Sequence, residues 1–359
     1  MHLKFYEVLN LLSIAWLLFF SAYLYVTNRG NKHSNFFLAS LLLTNALFNL
    51  FPLVKNFVLI NYSQFIFFLY IAASTGFLFG PFIYFYTKSL TNKDFKISLN
   101  LIIHFLPYSI SLFYFNFESL IKFMQPYYLT MLYFHIFIYI YFSYKNLIQF
   151  NKHIKNQFSE TYKFHINRLF IILLVFSTLW ILDIFLIFQR YFQILPIEYQ
   201  SLIIYTLFII NLLFAIFIVF DNLSHPELLA LNLNKFHTEK YKSSTLTDTD
   251  KHFYINKLES IMKNSEPYLN ANLNIKELSD ISEIPVRILS QIINESIGMN
   301  FYDYINSHRI EYSKNLLKSK SAKNILEILY DSGFNTKSAF NSAFKKFTKM
   351  TPSEFRKNN

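Results

Sequence analysis

Cysteine is absent from this 359-residue chain. That excludes disulfides, thiolate metal sites and a cysteine nucleophile. Glycine is scarce, with five residues in total, and none forms a glycine-rich phosphate loop. No HExxH zinc motif occurs, and the ten histidines are scattered. Charge is thin as well: 15% of residues are Asp, Glu, Lys or Arg, where soluble chains carry about 25%. These absences leave nothing that argues for an enzyme, and no cofactor or metal is expected. What the chain has instead is apolar and aromatic bulk: 53% hydrophobic residues, with 44 Phe and 26 Tyr.

The mean hydropathy of +0.27 conceals two unlike parts. Residues 1–222 hold 14 Lys/Arg and 7 Asp/Glu in an apolar background, whereas residues 223–359 hold 19 and 15. The net charge of +11 has two natural sources, basic loops facing anionic lipid and a basic surface facing DNA.

Seven apolar runs approach the roughly 20 residues that span a bilayer: 8–27, 35–54, 64–87, 99–116, 127–147, 169–188 and 202–221. The first is too long for a signal peptide, has a thin positive start (His2, Lys4) and is followed by no small-residue cleavage site. Loops after the odd-numbered runs carry Arg29, Lys32, Lys88, Lys93, Lys96, Lys145, Lys152, Lys155, Lys163 and Arg168, against Lys4, Lys55, Lys122 and Arg190 on the alternate side. Positive charge stays on the cytoplasmic side, so the N-terminus is expected outside and the C-terminal part in the cytoplasm of a bacterium, with a multi-pass domain in its inner membrane.

Among the polar residues inside these runs, Asn45, Asn49, His135, Asp183 and Asn211 fall at middle or outer depth. A carboxylate at that depth is costly and normally faces the bundle interior. Either these residues form a signal site anchored by Asp183, or they serve interhelical hydrogen bonding. Gly76, Gly80 and Pro81 interrupt the third run and predict close helix approach, a kink, or both.

Residues 223–252 lose hydrophobic density and gain Ser, Thr, Lys and Asp, which reads as a cytoplasmic linker. Thr247 or Asp248 can cap a following helix whose stripe is Ile255, Leu258, Ile261 and Met262. That stripe either packs on the C-terminal domain, 253–359, forms a dimer seam, or couples membrane movement to the C-terminal domain.

Within that domain one design occurs twice. Ile275–Ile281, a turn at Ser282–Pro285 and a second helix over 286–296 form the first copy. Ile325–Tyr330, a turn at Ser332–Asn335 and a helix over 336–347 form the second. A long helix, Phe301–Lys318, separates them. Helix, tight turn, helix is the helix-turn-helix pattern, and two copies are far stronger evidence than one. The fold class is therefore all-α: a polytopic transmembrane helix bundle followed by a soluble two-unit helix-turn-helix domain.

The run Gly298-Met299-Asn300-Phe301-Tyr302-Asp303-Tyr304-Ile305-Asn306, with Arg309-Ile310, resembles the middle of an AraC/XylS-type domain. Ser332-Gly333-Phe334-Asn335, Phe340, Phe344 to Phe347 and Met350 to Arg356 resemble its C-terminal signature, with Lys349 where the family usually has glycine. Gly80 to Leu90 and His104 to Pro107 resemble the membrane half of a family, common in Bacteroidetes, that fuses such a domain to a multi-span membrane domain.

The resemblance implies that the second helix of each unit enters the major groove of double-stranded DNA. The implied base readers are Arg287, Ser290 and Gln291, then Lys337, Ser338, Asn341 and Ser342, while Lys345, Lys346 and Arg356 hold phosphates. Further expected partners are the lipid bilayer, a second copy in a homodimer, RNA polymerase and a small-molecule or membrane signal. The function so implied is a membrane-embedded, sequence-specific transcription factor acting as a one-component sensor. An alternative is a transporter or lipid-handling module whose occupancy the DNA-binding domain reports.

Overall fold

The structure, a computed structural model, describes residues 5–28, 31–61, 66–92, 95–114, 118–159, 163–224, 246–319 and 323–358. Most of the expected linker, 225–245, lies outside them, as do Lys4, Arg29 and Lys93 of the loop-charge count. The chain divides into two compact units. The first comprises 1–148 with 167–233, the second 149–166 with 234–359. Both are helical, and the described residues form no strand beyond one isolated bridge.

The first unit is built from α1 (Phe5–Val26), α2 (Lys32–Asn61), α3 (Ile66–Ser74), α4 (Phe79–Thr91), α5 (Leu106–Tyr114), most of α6 (Glu118–Lys155), most of α7 (Lys163–Phe192) and α8 (Ile197–Ser224). Each expected apolar run falls on helical backbone over nearly all of its described residues. Four segments, however, are long and apolar enough to cross a membrane: Glu7–Val26, Lys32–Phe51, Leu69–Thr91 and Ile166–Gln189. Leu99–Phe113 and Tyr205–Phe220 are shorter apolar stretches. α6 is long but not among the four, and Tyr133, His135, Tyr139, Tyr141, Ser143 and Tyr144 dilute its apolar character. The described residues thus show four membrane-length helices where the sequence suggests seven.

The unit has an apolar core, with Leu17, Leu38, Ile83, Phe85 and Ile136 fully buried, polar residues set within it, and an apolar exterior. Asn10, Ser13, Ser21, Thr44, Asn49 and Ser74 are buried, while Phe19, Val26, Ile103, Ile110, Phe134 and Phe220 are more than half exposed. The break between α3 and α4 is a 3-10 turn over Thr75–Leu78. Both glycines there are sites of close approach. A Cβ on Gly80 would lie 2.7 Å from Tyr139 Cδ2, and one on Gly76 3.0 Å from Leu132.

The second unit contains α9 (Asp248–Asn264), α10 (Ile275–Ser282), α11 (Val286–Gln291), α12 (Phe301–Lys318), α13 (Ile325–Asp331), α14 (Lys337–Thr348) and α15 (Pro352–Lys357). Capping boxes start four of them: Thr247 with Asp250, Asn274 with Glu277, Asn324 with Glu327 and Thr351 with Glu354. Each satisfies two backbone donors that the first turn leaves open. Two small cores result. One joins Leu258 and Met262 of α9 to Leu278, Leu289, Ile293, Phe301 and Ile305, so the α9 stripe packs within this unit. The other gathers Ile310, Leu317, Ile328, Phe334, Phe340 and Phe344. Because α12 supplies residues to both, it holds the two helix pairs as one body.

Residues 157–159, between α6 and α7, also belong to this unit. Phe158 makes an antiparallel bridge to Asn274. Ser159 N donates to the Leu273 carbonyl at 3.2 Å, and Ile275 N to the Gln157 carbonyl at 2.9 Å.

Candidate nucleic-acid interface and a polar cavity

The turn before α14 determines how that helix is presented. Gly333 has φ 78°, the left-handed region that glycine enters without penalty. A Cβ there would lie 2.6 Å from the Tyr268 carbonyl oxygen, so glycine is required for space as well as conformation. Thr336 then caps α14 by accepting from Ala339 N at 3.2 Å. Phe340 and Phe344 turn into the core. At about 100° per residue, Ser338, Asn341, Ser342 and Lys345 share one arc on the opposite side, and all four are exposed, as is Lys337 at the first turn. The face is short, polar and free of apolar bulk, as a helix laid in a groove requires.

The first helix pair differs. Glu283, not a glycine, takes the left-handed conformation at its turn, with φ 54°, and Pro285 precedes α11. Arg287 is exposed. Ser290 and Gln291 are buried, at 3% and 6% exposure, so the expected outward placement holds for Arg287 and not for these two. The Gln291 amide donates to Glu295 at 2.8 Å, and Asn294 donates to the Ser290 carbonyl at 2.8 Å. Beyond them the backbone passes into a π turn over Ile292–Ser296, which α9 packs against.

The three expected phosphate contacts also divide. Lys345 is exposed. Lys346 pairs with Asp303 at 2.6 Å, and Arg356 donates to the Lys323 carbonyl at 2.6 Å.

Behind both faces lies a residue to which the sequence reading assigns no role. Arg309 has 0% exposure. Its Nε donates to the Tyr268 carbonyl at 2.7 Å, and its Nη2 to the Asn270 carbonyl at 2.9 Å and to Ser159 Oγ at 3.0 Å. Asn306, Arg309 and Ser313 are all buried on the phase of the apolar stripe. Polar residues at apolar phase are the signal that could have exposed the cluster.

In the first unit, four of the five polar residues singled out above meet. Asn45, Asn49, Asp183 and Asn211 line one cavity of about 270 Å³, together with Gln189, Phe48, Phe79 and Trp180. Asn49 Nδ2 donates to Asn45 Oδ1 at 3.0 Å, and Asn45 Nδ2 to Asn211 Oδ1 at 2.8 Å. The Tyr133 hydroxyl donates to Asp183 Oδ2 at 2.6 Å. His135 lies apart from this cavity, its ring edge-on to Phe77 at 5.4 Å and Tyr139 at 4.9 Å, with neither ring nitrogen hydrogen-bonded. Among the described residues no group of His, Asp and Glu is placed to hold a metal ion.

A helix-turn-helix domain family model matches residues 278–358, which covers both helix pairs except the first turn of α10. An uncharacterised HTH-type transcriptional regulator of Staphylococcus aureus strain COL is 30% identical over 100 residues, 28% of this chain and 13% of that protein. A counterpart in strain N315 shows the same identity and coverage. The TCP pilus virulence regulatory protein of Vibrio cholerae is 44% identical over 61 residues, 17% of this chain and 22% of that protein. The chain therefore spans only a small part of the curated relatives it matches. No solved structure matches. The C-terminal unit carries an AraC-type helix-turn-helix domain and is similar to transcriptional regulators.

Proposed function

We propose that this protein is a membrane-embedded, sequence-specific transcription factor that couples an envelope or membrane signal to DNA binding. The observation that carries the reading is the exposed polar face of α14, Lys337, Ser338, Asn341, Ser342 and Lys345, presented by a helix-turn-helix domain. In that reading Arg287 and the first four of those residues read bases in the major groove, and Lys345 neutralises a phosphate. Lys346 and Arg356 contribute less, since each already has a partner within the protein. The buried Ser290 and Gln291 act by shaping the first pair.

Membrane embedding is supported by the four long apolar helices and by the apolar exterior of the first unit, since lipid replaces water as the outer solvent. Loop charge favours an external N-terminus and a cytoplasmic DNA-binding unit at the bacterial inner membrane. The polar cavity is the site at which a signal would enter. A second copy of the chain and RNA polymerase are the protein partners this reading calls for.

The test uses the full chain in lipid nanodiscs, with a pool of random duplexes selected at two salt concentrations. A defined site is expected to emerge. Lys337→Ala with Asn341→Ala should abolish enrichment at the bases concerned, each lost contact costing about 1–3 kcal/mol. Lys345→Ala should weaken all duplexes alike and lower the salt slope by about one. Salt-sensitive binding with no enriched sequence would sink the claim of sequence-specific readout.

A further inference from the structure

We propose that Gln157 and Ser159, on the connection between α6 and α7, are positioning residues for the first helix pair of the DNA reader, and that displacement of α6 reaches that pair through them. This rests on the reading of the chain as a membrane-coupled regulator, and it names the element that does the coupling.

Segment 157–159 extends α6 with no slack. The N–H groups of Gln157 and Phe158 both donate to the Ile154 carbonyl, in the last turn of α6, at 3.0 Å. Gln157 Nε2 lies 3.1 Å from His153 Nε2 in the same turn. Ile154, Gln157 and Ser159 are all buried. This stretch belongs to the second unit, whereas most of α6 belongs to the first. A shift of α6 is therefore carried to residue 159 rather than absorbed before it.

The same segment completes the start of α10. A helix opens with four N–H groups that its own turns leave unanswered. Asn274 accepts from Lys276 N and Glu277 N, and Glu277 accepts from Asn274 N. The fourth, Ile275 N, donates to the Gln157 carbonyl at 2.9 Å. Ser159 holds the chain just ahead of it. Its N–H and its hydroxyl both donate to the Leu273 carbonyl, at 3.2 Å and 2.7 Å. That hydroxyl also accepts from Arg309 Nη2 at 3.0 Å, so the contact extends to α12. Ser159 and Arg309 have 0% exposure, and a partner lost there is not replaced by water. A helix start that takes a carbonyl from the end of α6 moves with it. α10 in turn leads through Glu283 into α11, which carries Arg287.

The first unit supplies the lever for a test. A Cβ on Gly80 would lie 2.7 Å from Tyr139 Cδ2 and 3.2 Å from Tyr139 Cβ. Tyr139 is on α6, and crowding that close to its backbone is not relieved by turning the ring alone. Gly80→Ala should therefore displace α6. Gly76→Ala presses on Leu132 of the same helix, at 3.0 Å, and serves if Gly80→Ala does not fold. Hydrogen exchange is measured on the full chain in phosphatidylcholine nanodiscs, at amides 275–280 of α10 and, as an internal control, 337–348 of α14. Gly80→Ala should speed exchange in α10 several-fold and leave α14 unchanged. Ser159→Pro removes both the N–H and the hydroxyl. It should speed exchange in α10 and abolish the further effect of Gly80→Ala. Ser159→Ala removes the hydroxyl alone and takes its place if the proline variant does not fold. An unchanged α10 in the glycine variant, equal acceleration of α10 and α14, or the same factor from Gly80→Ala with and without the Ser159 contact would overturn the proposal. The readout involves no DNA, so the outcome of the duplex selection above and the outcome here are decided separately.

Discussion

Lys349 closes α14 with φ 63°, and its N–H donates to the Lys345 carbonyl at 2.9 Å. A residue with a Cβ pays for that left-handed conformation, whereas glycine does not. Lys349→Gly should therefore stabilise the end of α14 by about 0.5–1 kcal/mol, read as slower hydrogen exchange at the α14 and α15 amides of the full chain. Unchanged or faster exchange would mean that the lysine side chain compensates for its backbone. Arg309 behaves in the opposite sense. Its planar fork meets two carbonyls and a hydroxyl in fixed directions, which a flexible ammonium cannot reproduce. Arg309→Lys should cost about 2–3 kcal/mol by leaving buried acceptors unsatisfied, seen as a lower urea midpoint for the second unit; a loss within about 0.5 kcal/mol, the usual size for an uninvolved surface change, would refute it. The two residues were unequally legible. Lys349 could be singled out because its place in a signature motif is normally glycine. Arg309 acts on Tyr268, Asn270 and Ser159, the last 150 positions away, and no local pattern announces partners that distant.

At the scale of elements, the second unit could be read closely because its helices declare their ends. Asn274, Asn324 and Thr351 each stand three residues before a glutamate, and the apolar stripes keep helical phase. The π turn at 292–296 was not legible. It changes pitch with no breaker in the sequence, and so positions beyond Gln291 cannot be counted from the start of that helix. α12 carries a further consequence. His308 stacks on Tyr268 at 5.6 Å and lies edge-on to Tyr304 at 4.8 Å. Burial lowers its pKa below the ordinary value of 6.5, with the Glu311 carboxylate opposing. The folded state thus holds a neutral imidazole, while the unfolded chain takes up a proton near pH 6.5. Its contribution is complete above that pH and is lost as pH falls below it, at no more than about 1.4 kcal/mol per pH unit. Urea midpoints of the second unit between pH 7.5 and 5 should fall for the wild type and fall less for His308→Gln. Parallel curves would show that His308 does not drive the acid sensitivity.

For the whole molecule, composition separates an apolar part from a charged one, and the fold has a division of its own, into two compact units. Its boundary is less simple than a single cut in the sequence, because residues 149–166 belong with the C-terminal unit. Loop sequences of this kind carry no periodicity, and a three-residue pairing such as 157–159 with 273–275 leaves no pattern to find. The pairing is nevertheless open to a clean test, because the chain has no cysteine of its own. Phe158 and Asn274 face each other with backbone hydrogen bonds on either side, from Ser159 to Leu273 and from Ile275 to Gln157. That makes them a non-hydrogen-bonded antiparallel pair, whose Cα atoms lie about 4.5 Å apart, within the range a disulfide bridges. Phe158→Cys combined with Asn274→Cys should lose both free thiols on mild oxidation of the full chain, and reductant should restore them. Each single variant should keep its thiol reactive toward a maleimide-polyethylene glycol probe. If both thiols of the double variant stay reactive after oxidation, the 157–159 segment is not seated on the DNA-binding unit, and Arg309 has lost its Ser159 partner as well.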